Sequence, residues 1–404
     1  MEIKKILAGG VTLLILGVSI APSITAYNKF SGVLSHNSMF SKRFYVRHRL
    51  IVINGNNDLT PRNGVVGGTG TEVDPYIISG WKFDGSAQYL IDMIRWKSAF
   101  RWLFISLLFG EKESAISISN TDKYIIIRDN YFVNWNEPTP PPDPWGHSPF
   151  PDHMAIAIGN AENIVIENNV ISNCNQGIFC FSLAIIRNNS FSSITGGYYA
   201  VYVSARGTIV EHNTIQDCNS WTGIYFLDAS STAVIRNNSL ENIDGYSIIG
   251  VNGVVENNVL VNCDIAIKVG NCTVRNNLVK SSSIGIGTFS QNLISHNELI
   301  NNDVGIGCYW PPHNCTILDN IIQGNTYSGI YCIEGSRVQI HFNNIFQNSA
   351  GVHNCGGAVL NATLNWWGSE TGPSGVGAGS GDTVSENVSY SPWLTSPNPD
   401  AGRE

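Results

Sequence analysis

Ten asparagines share one register along the chain: Asn130, Asn169, Asn189, Asn213, Asn238, Asn258, Asn277, Asn297, Asn320 and Asn343. Their separations are 39, 20, 24, 25, 20, 19, 20, 23 and 23 residues. Three residues before each stands an aliphatic side chain, from Ile127 to Ile340. Two residues after each stands another apolar one, from Phe132 to Ile345. A register kept this long is a repeat. It constrains the architecture before local propensity is weighed, because each unit can bury its apolar face only against the next.

A period near 20 to 25 residues suits a leucine-rich repeat or a coil of a parallel β-helix. The apolar positions are mostly β-branched and alternate with polar ones, as in Val338-Gln339-Ile340, which favours strand. Small polar turns such as Asn173-Cys174-Asn175-Gln176-Gly177 and Asn301-Asn302-Asp303-Val304-Gly305 separate the strands. No helical period shows in 114–360. The pattern predicts an all-β solenoid, a parallel β-helix with three short strands per coil, the third often opening Gly-Ile as at Gly177-Ile178 and Gly329-Ile330. At about 4.8 Å per coil, roughly a dozen coils make a rod on the order of 55 Å long. The ladder Asn is expected at a left-handed turn between two strands, its amide bonding along the stack, so all ten are scaffold.

The chain divides into residues 1–26 (signal peptide or membrane anchor), 27–50 (linker), 51–395 (the β-helix) and 396–404 (tail). Lys4 and Lys5 followed by the apolar run Ile6–Ile20 predict export to the cell surface or the extracellular space, with cleavage or anchoring left open. Two segments interrupt the repeat. Residues 88–110, with Trp96, Phe100, Trp102 and Phe109 beside Arg95, Lys97 and Arg101, read as a short helical insertion that caps the core or touches a membrane. Residues 137–151 are a Pro-rich loop inside the 39-residue interval. Only 13% of residues are charged, the net charge is −8, and no basic cluster occurs, which argues against nucleic-acid binding.

Six Asn-x-Ser/Thr sequons suit a surface protein only weakly, since they also arise by chance in an Asn-rich chain. Of nine Cys, most fall on repeat positions that face a coil interior; Cys308 and Cys332 occupy equivalent places and are the best disulfide pair. No CxxC or Cys/His zinc spacing occurs.

The repeated Ile-x-x-Asn-Asn-x-Ile core, Gly64-Val65-Val66-Gly67 through Asp74-Pro75-Tyr76-Ile77-Ile78, and Asn365-Trp366-Trp367-Gly368 with Gly372-Pro373 resemble right-handed parallel β-helix proteins. These are the NosD-like repeats and the carbohydrate-binding and sugar-hydrolase repeats. The resemblance covers about residues 50–395 and speaks to fold far more than to function. It implies polysaccharide chemistry or copper delivery, although no Met-rich or multi-His motif is present. No cofactor is specified; Ca²⁺ and copper are compatible with such folds and lack a motif here.

Three functional readings follow. The first is an exported surface protein, without a firm catalytic signature, that binds polysaccharide or cell-envelope glycan. Its candidate ligand-binding aromatics are Trp145, Tyr198, Trp221 and Tyr246, a row on which sugar rings stack. The second is a polysaccharide lyase, epimerase or hydrolase on the lateral face, with Asp152, His153 and His147 as acid and base. Asn120-Thr121-Asp122 matches one of four polygalacturonase-type motifs; the other three are absent, which removes the carboxylate partner. The third is copper handling through His147 and His153. Asp244, Asp264 and Asp303 read as turn formers, and His212 and His296, each just before a ladder Asn, as turn surrogates.

Overall fold

The computed structural model describes residues 45–86, 114–135, 154–195, 199–227, 232–309, 314–333 and 337–404. The signal or anchor segment, the 88–110 insertion and the 137–151 loop lie outside them, as do Asp152 and His153.

The described chain winds as a right-handed parallel β-helix. Strands that precede each ladder Asn, such as Ile125–Arg128, Ile164–Glu167 and Ala184–Arg187, stack into a 14-stranded sheet, here called the ladder face. Every pairing in it is parallel except the first, Val65–Gly67 with Tyr76–Ser79. Strands after the Asn, such as Val170–Cys174, form a second face, and strands such as Gln176–Cys180 and Thr222–Leu227 a third. In Ser239–Val251 and Val259–Gly270 these two faces run on as one bent strand, so they join in a 24-stranded sheet. Among the described residues the 3-10 turns Asn56–Asp58 and Pro61–Asn63 are short, and no helix is long and apolar enough to cross a membrane.

The core is one column of aliphatic and small side chains drawn from all three faces, with Ile127, Ile166, Ile186, Val210 and Ile235 fully buried in successive coils. The ladder asparagines are equally buried. Each donates both its backbone N–H and its Nδ2 to the Oδ1 of the Asn one coil further on, at 2.9–3.1 Å throughout. Nδ2 also reaches a strand carbonyl of the preceding coil, as from Asn189 to Ile166 at 2.9 Å. The ladder has an eleventh member, Asn365, which accepts from Asn343.

The left-handed turn sits elsewhere than expected. The residue just before each ladder Asn carries the positive φ: Asp129, Asn168, Asn188, Asn237, Asn257, Asn276 and Asp319, all between 51° and 56°. His212 and His296 occupy the same place at 55° and 56°, so they are turn surrogates as expected. The ladder Asn is therefore selected for its two-sided amide and not for its backbone angle.

A second polar ladder emerges toward the C-terminal end. Ser282, Asn302, Asn325 and Asn348 are linked by the same donor pattern, and Asp382 ends the series by accepting Asn348 N–H and Nδ2 at 2.9 and 2.7 Å. Equivalent positions in earlier coils hold Cys174, Ile194, Cys218, Ile243 and Cys263.

All nine Cys are free thiols; Cys308 and Cys332 are paired neighbours in adjacent coils without a bond between them. Eight are buried in the core and Cys355 is exposed. Residues 398–402 dock back on the rod: Asn398 exchanges hydrogen bonds with Asn344, and Gly402 N–H donates to Asp319 O at 2.9 Å.

Candidate functional site

Along the third face, the residue between the two inward positions of each strand points outward, and parallel register brings these residues into one column. Phe179 lies opposite Tyr202, and Tyr202 opposite Tyr225. Their rings stack, Phe179 on Tyr202 at 4.3 Å and 18°, Tyr202 on Tyr225 at 5.4 Å and 12°. Tyr199 leans on Tyr202 and Tyr225 at 5.2 and 4.9 Å, and Phe181 meets Phe179 edge-on at 4.8 Å. Because the stack runs parallel to the rod, the ring faces cover one another and the ring edges turn to solvent. Burial and the neighbouring Tyr202 push the Tyr225 phenol up, so it remains a neutral hydroxyl at neutral pH.

Beyond Tyr225 the column changes character: Ile249, Lys268, Gly287 and Gly307 follow. Lys268 Nζ sits over the Tyr246 ring at 4.6 Å from its centroid and donates to Tyr246 Oη at 3.2 Å. A Cβ on Gly307 would fall 2.1 Å from the Tyr309 ring, so the glycine lets that ring lie flat on the sheet. Aromatic rings then return with Tyr331 and His353, flanked by Tyr309 and Tyr327. Burial pushes the Tyr309 phenol up to about 12.

Beside the first stack lies a shallow open groove of about 590 Å³ lined by Ser204, Leu227, Val251, Asn252, Gly270 and Asn271. Leu227 on its lining is 44% accessible, and Phe181, packed against Phe179 in the first stack, is 52% accessible. Contiguous exposed apolar surface is where a binding site is looked for first. The third face thus offers two groups of aromatic rings, an apolar groove and one lysine, on strands spaced at about 4.8 Å.

The sequence-derived candidates distribute unevenly over this surface. Asp152, His153, His147, Trp145 and Tyr198 lie outside the described residues. Trp221 is 64% exposed, and its carbonyl accepts Tyr246 N–H at 3.1 Å. Tyr246 pairs with Thr222, so Trp221 and Tyr246 stand in neighbouring columns and do not form a single row. The row that does form, Phe179–Tyr202–Tyr225, was legible: each residue follows the inward Ile178, Val201 or Ile224 by one. Asn120-Thr121-Asp122 ends the strand Ser114–Thr121, with Asn56 Nδ2 donating to Asp122 at 2.9 Å and Thr121 Oγ1 to Asn56 Oδ1 at 2.7 Å. Asp303 serves a turn, accepting Thr326 Oγ1 at 2.6 Å. No group of three or more His, Cys, Asp or Glu able to hold a metal occurs among the described residues.

Two family models match the chain, a right-handed β-helix region over residues 108–265 and the periplasmic copper-binding protein NosD over residues 247–377. No curated protein matches it in sequence. Among solved structures, a double mutant of the periplasmic alginate epimerase AlgG is 13% identical at a TM-score of 0.49, covering 80% of this chain and 83% of its own. The A-module of the Azotobacter vinelandii mannuronan C-5 epimerase AlgE6 is 12% identical at 0.40, covering 70% and 77%. With its stacked parallel coils and its Asn ladder, the chain has the right-handed parallel β-helix fold that the first of these family models describes over residues 108–265.

Proposed function

We propose that this protein is exported and binds an extended polysaccharide lengthwise on its third face. The observation that carries the reading is the half-buried aromatic stack Phe179–Tyr202–Tyr225, with exposed Phe181 against it, beside an apolar groove. A polysaccharide repeats at close to the coil spacing, so successive sugars meet successive coils. Apolar sugar faces pack on Trp221 and Phe181, and sugar hydroxyls bond to the tyrosine edges. Lys268 supplies a cation for an acidic sugar. Export is inferred from Lys4, Lys5 and the apolar run Ile6–Ile20.

The test is a polysaccharide panel, neutral and acidic, read by affinity electrophoresis. Trp221→Ala with Phe181→Ala lowers affinity for the bound polymer about tenfold, a loss of about 1.4 kcal/mol, with an unchanged melting transition. Undiminished binding by that variant contradicts the reading. Screening the same panel for new double bonds or reducing ends tests the catalytic alternative at Asp152, His147 and His153. These residues fall between Trp135 and Met154, outside the described residues, and the strand that opens at Met154 pairs beside Gln176–Cys180.

A second reading, metal handling, is favoured by one observation. The copper-binding family model covers 247–377, the span that contains His353 and Cys355.

A further inference from the structure

We infer that Asn314 is the acceptor of an N-linked glycan. The inference rests on the export reading, because Asn-x-Ser/Thr is glycosylated on chains that leave the cytoplasm. Six such triplets begin at Asn188, Asn237, Asn271, Asn314, Asn361 and Asn387. Their number follows from the Asn content; what separates them is the fold. A transferase must reach the Asn Nδ2 and the hydroxyl two residues on together, so an acceptor needs a free amide and both groups on one outer side.

Five of the six fail one condition or both. Asn188, Asn237, Asn271 and Asn387 have left-handed φ between 54° and 58°, so the chain turns a corner between Asn and hydroxyl. Three of these amides are also engaged. Asn237 Nδ2 lies 3.4 Å from His212 Nε2, Asn387 Nδ2 donates to Gly356 O at 3.4 Å, and Asn271 Nδ2 donates to Asn252 Oδ1. Asn361 is half-buried, donates to Gln339 Oε1 at 2.8 Å and accepts Thr363 Oγ1 at 3.0 Å.

Asn314 meets both. It is exposed, and neither its side chain nor that of Thr316 makes a hydrogen bond among the described residues. Cys315 between them is fully buried, donates Sγ–H to Ser290 O at 3.1 Å, and accepts Gln339 N–H on its carbonyl at 2.9 Å. With the middle residue pinned inward and Thr316 opening the strand Thr316–Leu318, Asn314 and Thr316 flank it on the outer side. Asn271-Cys272-Thr273 is an internal control, being the same triplet in the same register: Cys272 pairs with Asn292, whose Nδ2 lies 3.7 Å from Cys315 Sγ. Of these two amides only that of Asn314 is free.

Position agrees with the polysaccharide reading. Asn271 lines the groove beside the first stack, and a glycan there would fill it. Asn314 follows the strand Val304–Cys308, four pairings beyond Thr222–Leu227 and about 19 Å further along the rod. The donor is a lipid-phosphate-linked oligosaccharide. Asn314 Nδ2 forms a bond to the anomeric carbon, the bond from that carbon to the phosphate oxygen breaks, and the amide gives up one proton as the lipid phosphate leaves.

The experiment takes the full chain from the envelope or medium of the cells that make it and reads its peptides by mass spectrometry, scoring sugar fragment ions. The Asn314 peptide is expected to carry a glycan and the Asn271 peptide none. Thr316→Ala, which keeps the Asn, abolishes the modification and Thr316→Ser restores it, with melting transitions unchanged in both. An exported chain that is bare at Asn314 overturns the assignment and leaves export standing. Modification that persists in Thr316→Ala, or that falls on Asn271 in place of Asn314, overturns it as well. A chain held inside the cell and unmodified overturns export and acceptor together.

Discussion

At Asn258 four hydrogen bonds meet on one buried amide. Its Oδ1 accepts the N–H and Nδ2 of Asn238, and its Nδ2 donates to Ile235 O and Asn277 Oδ1. Asn258→Ala strands several of these groups in the core, and each costs about 1–3 kcal/mol to leave unpaired; the expected loss is about 3–5 kcal/mol, measured by denaturant unfolding. The preceding Asn257 has φ of 56°. There Gly removes strain but adds unfolded-chain freedom, so Asn257→Gly stays within about 1 kcal/mol of wild type. A reversal of that order contradicts the division of labour between the two residues. The sequence could not assign it from doublets such as Asn168-Asn169 and Asn257-Asn258, since both members are Asn; Asp129, His212 and His296 in first place hold the signal.

Asp382 makes a pH-dependent prediction at the same scale. Burial raises its folded-state pKa above the usual 3.8. A raised carboxyl pKa stabilises the fold while the group is protonated, and that contribution is lost as pH rises through the folded value. Asp382→Asn keeps the acceptor for Asn348 and removes the buried charge. Thermal melts should therefore show a gap in favour of the variant that opens above pH 3.8 and widens upward. A gap that shrinks with rising pH contradicts this. Thiol counting checks burial independently: one Cys reacts in the native protein and nine after unfolding.

At the level of the strand, neighbouring coils are fitted to one another in size. Phe226 fills the core against Gly250 and Gly253; a Cβ on Gly250 would lie 2.2 Å from Phe226 O and 2.5 Å from its ring. Gly250→Ala is expected to cost about 1–3 kcal/mol by overpacking, and because the nearest obstacle is the Phe226 carbonyl, Phe226→Leu in the same chain should leave most of that penalty in place. Full recovery in that background, read as denaturation midpoints, would show that the ring alone is the obstacle. This fit was invisible in the sequence, because Phe226 and Gly250 are 24 residues apart and meet only once register is known. Strand positions were legible from β-branched alternation. The polar ladder ending at Asp382 was not, because its positions hold Cys or Ile in earlier coils and Asn in later ones.

For the whole molecule, the repeat alone was sufficient to read a parallel β-helix, since coils that cannot bury their apolar positions singly must stack. The functional surface was less legible. Outward positions of the third face are located only once the inward Ile178, Val201 and Ile224 are aligned, and the expected row of Trp221 and Tyr246 falls in two columns because four residues lead from Cys218 to Thr222 and three from Ile243 to Tyr246. What the rod supplies is a regularly spaced lateral face that carries two groups of aromatic rings, one groove and Lys268. Hydroxyl-radical footprinting with and without a bound polysaccharide tests the assignment of that face most directly, because aromatic side chains report it themselves. The account predicts that Phe181, Tyr202, Trp221 and Tyr225 lose reactivity on binding while Tyr76 on the ladder face keeps it. Protection of Tyr76 with these four unchanged would contradict it.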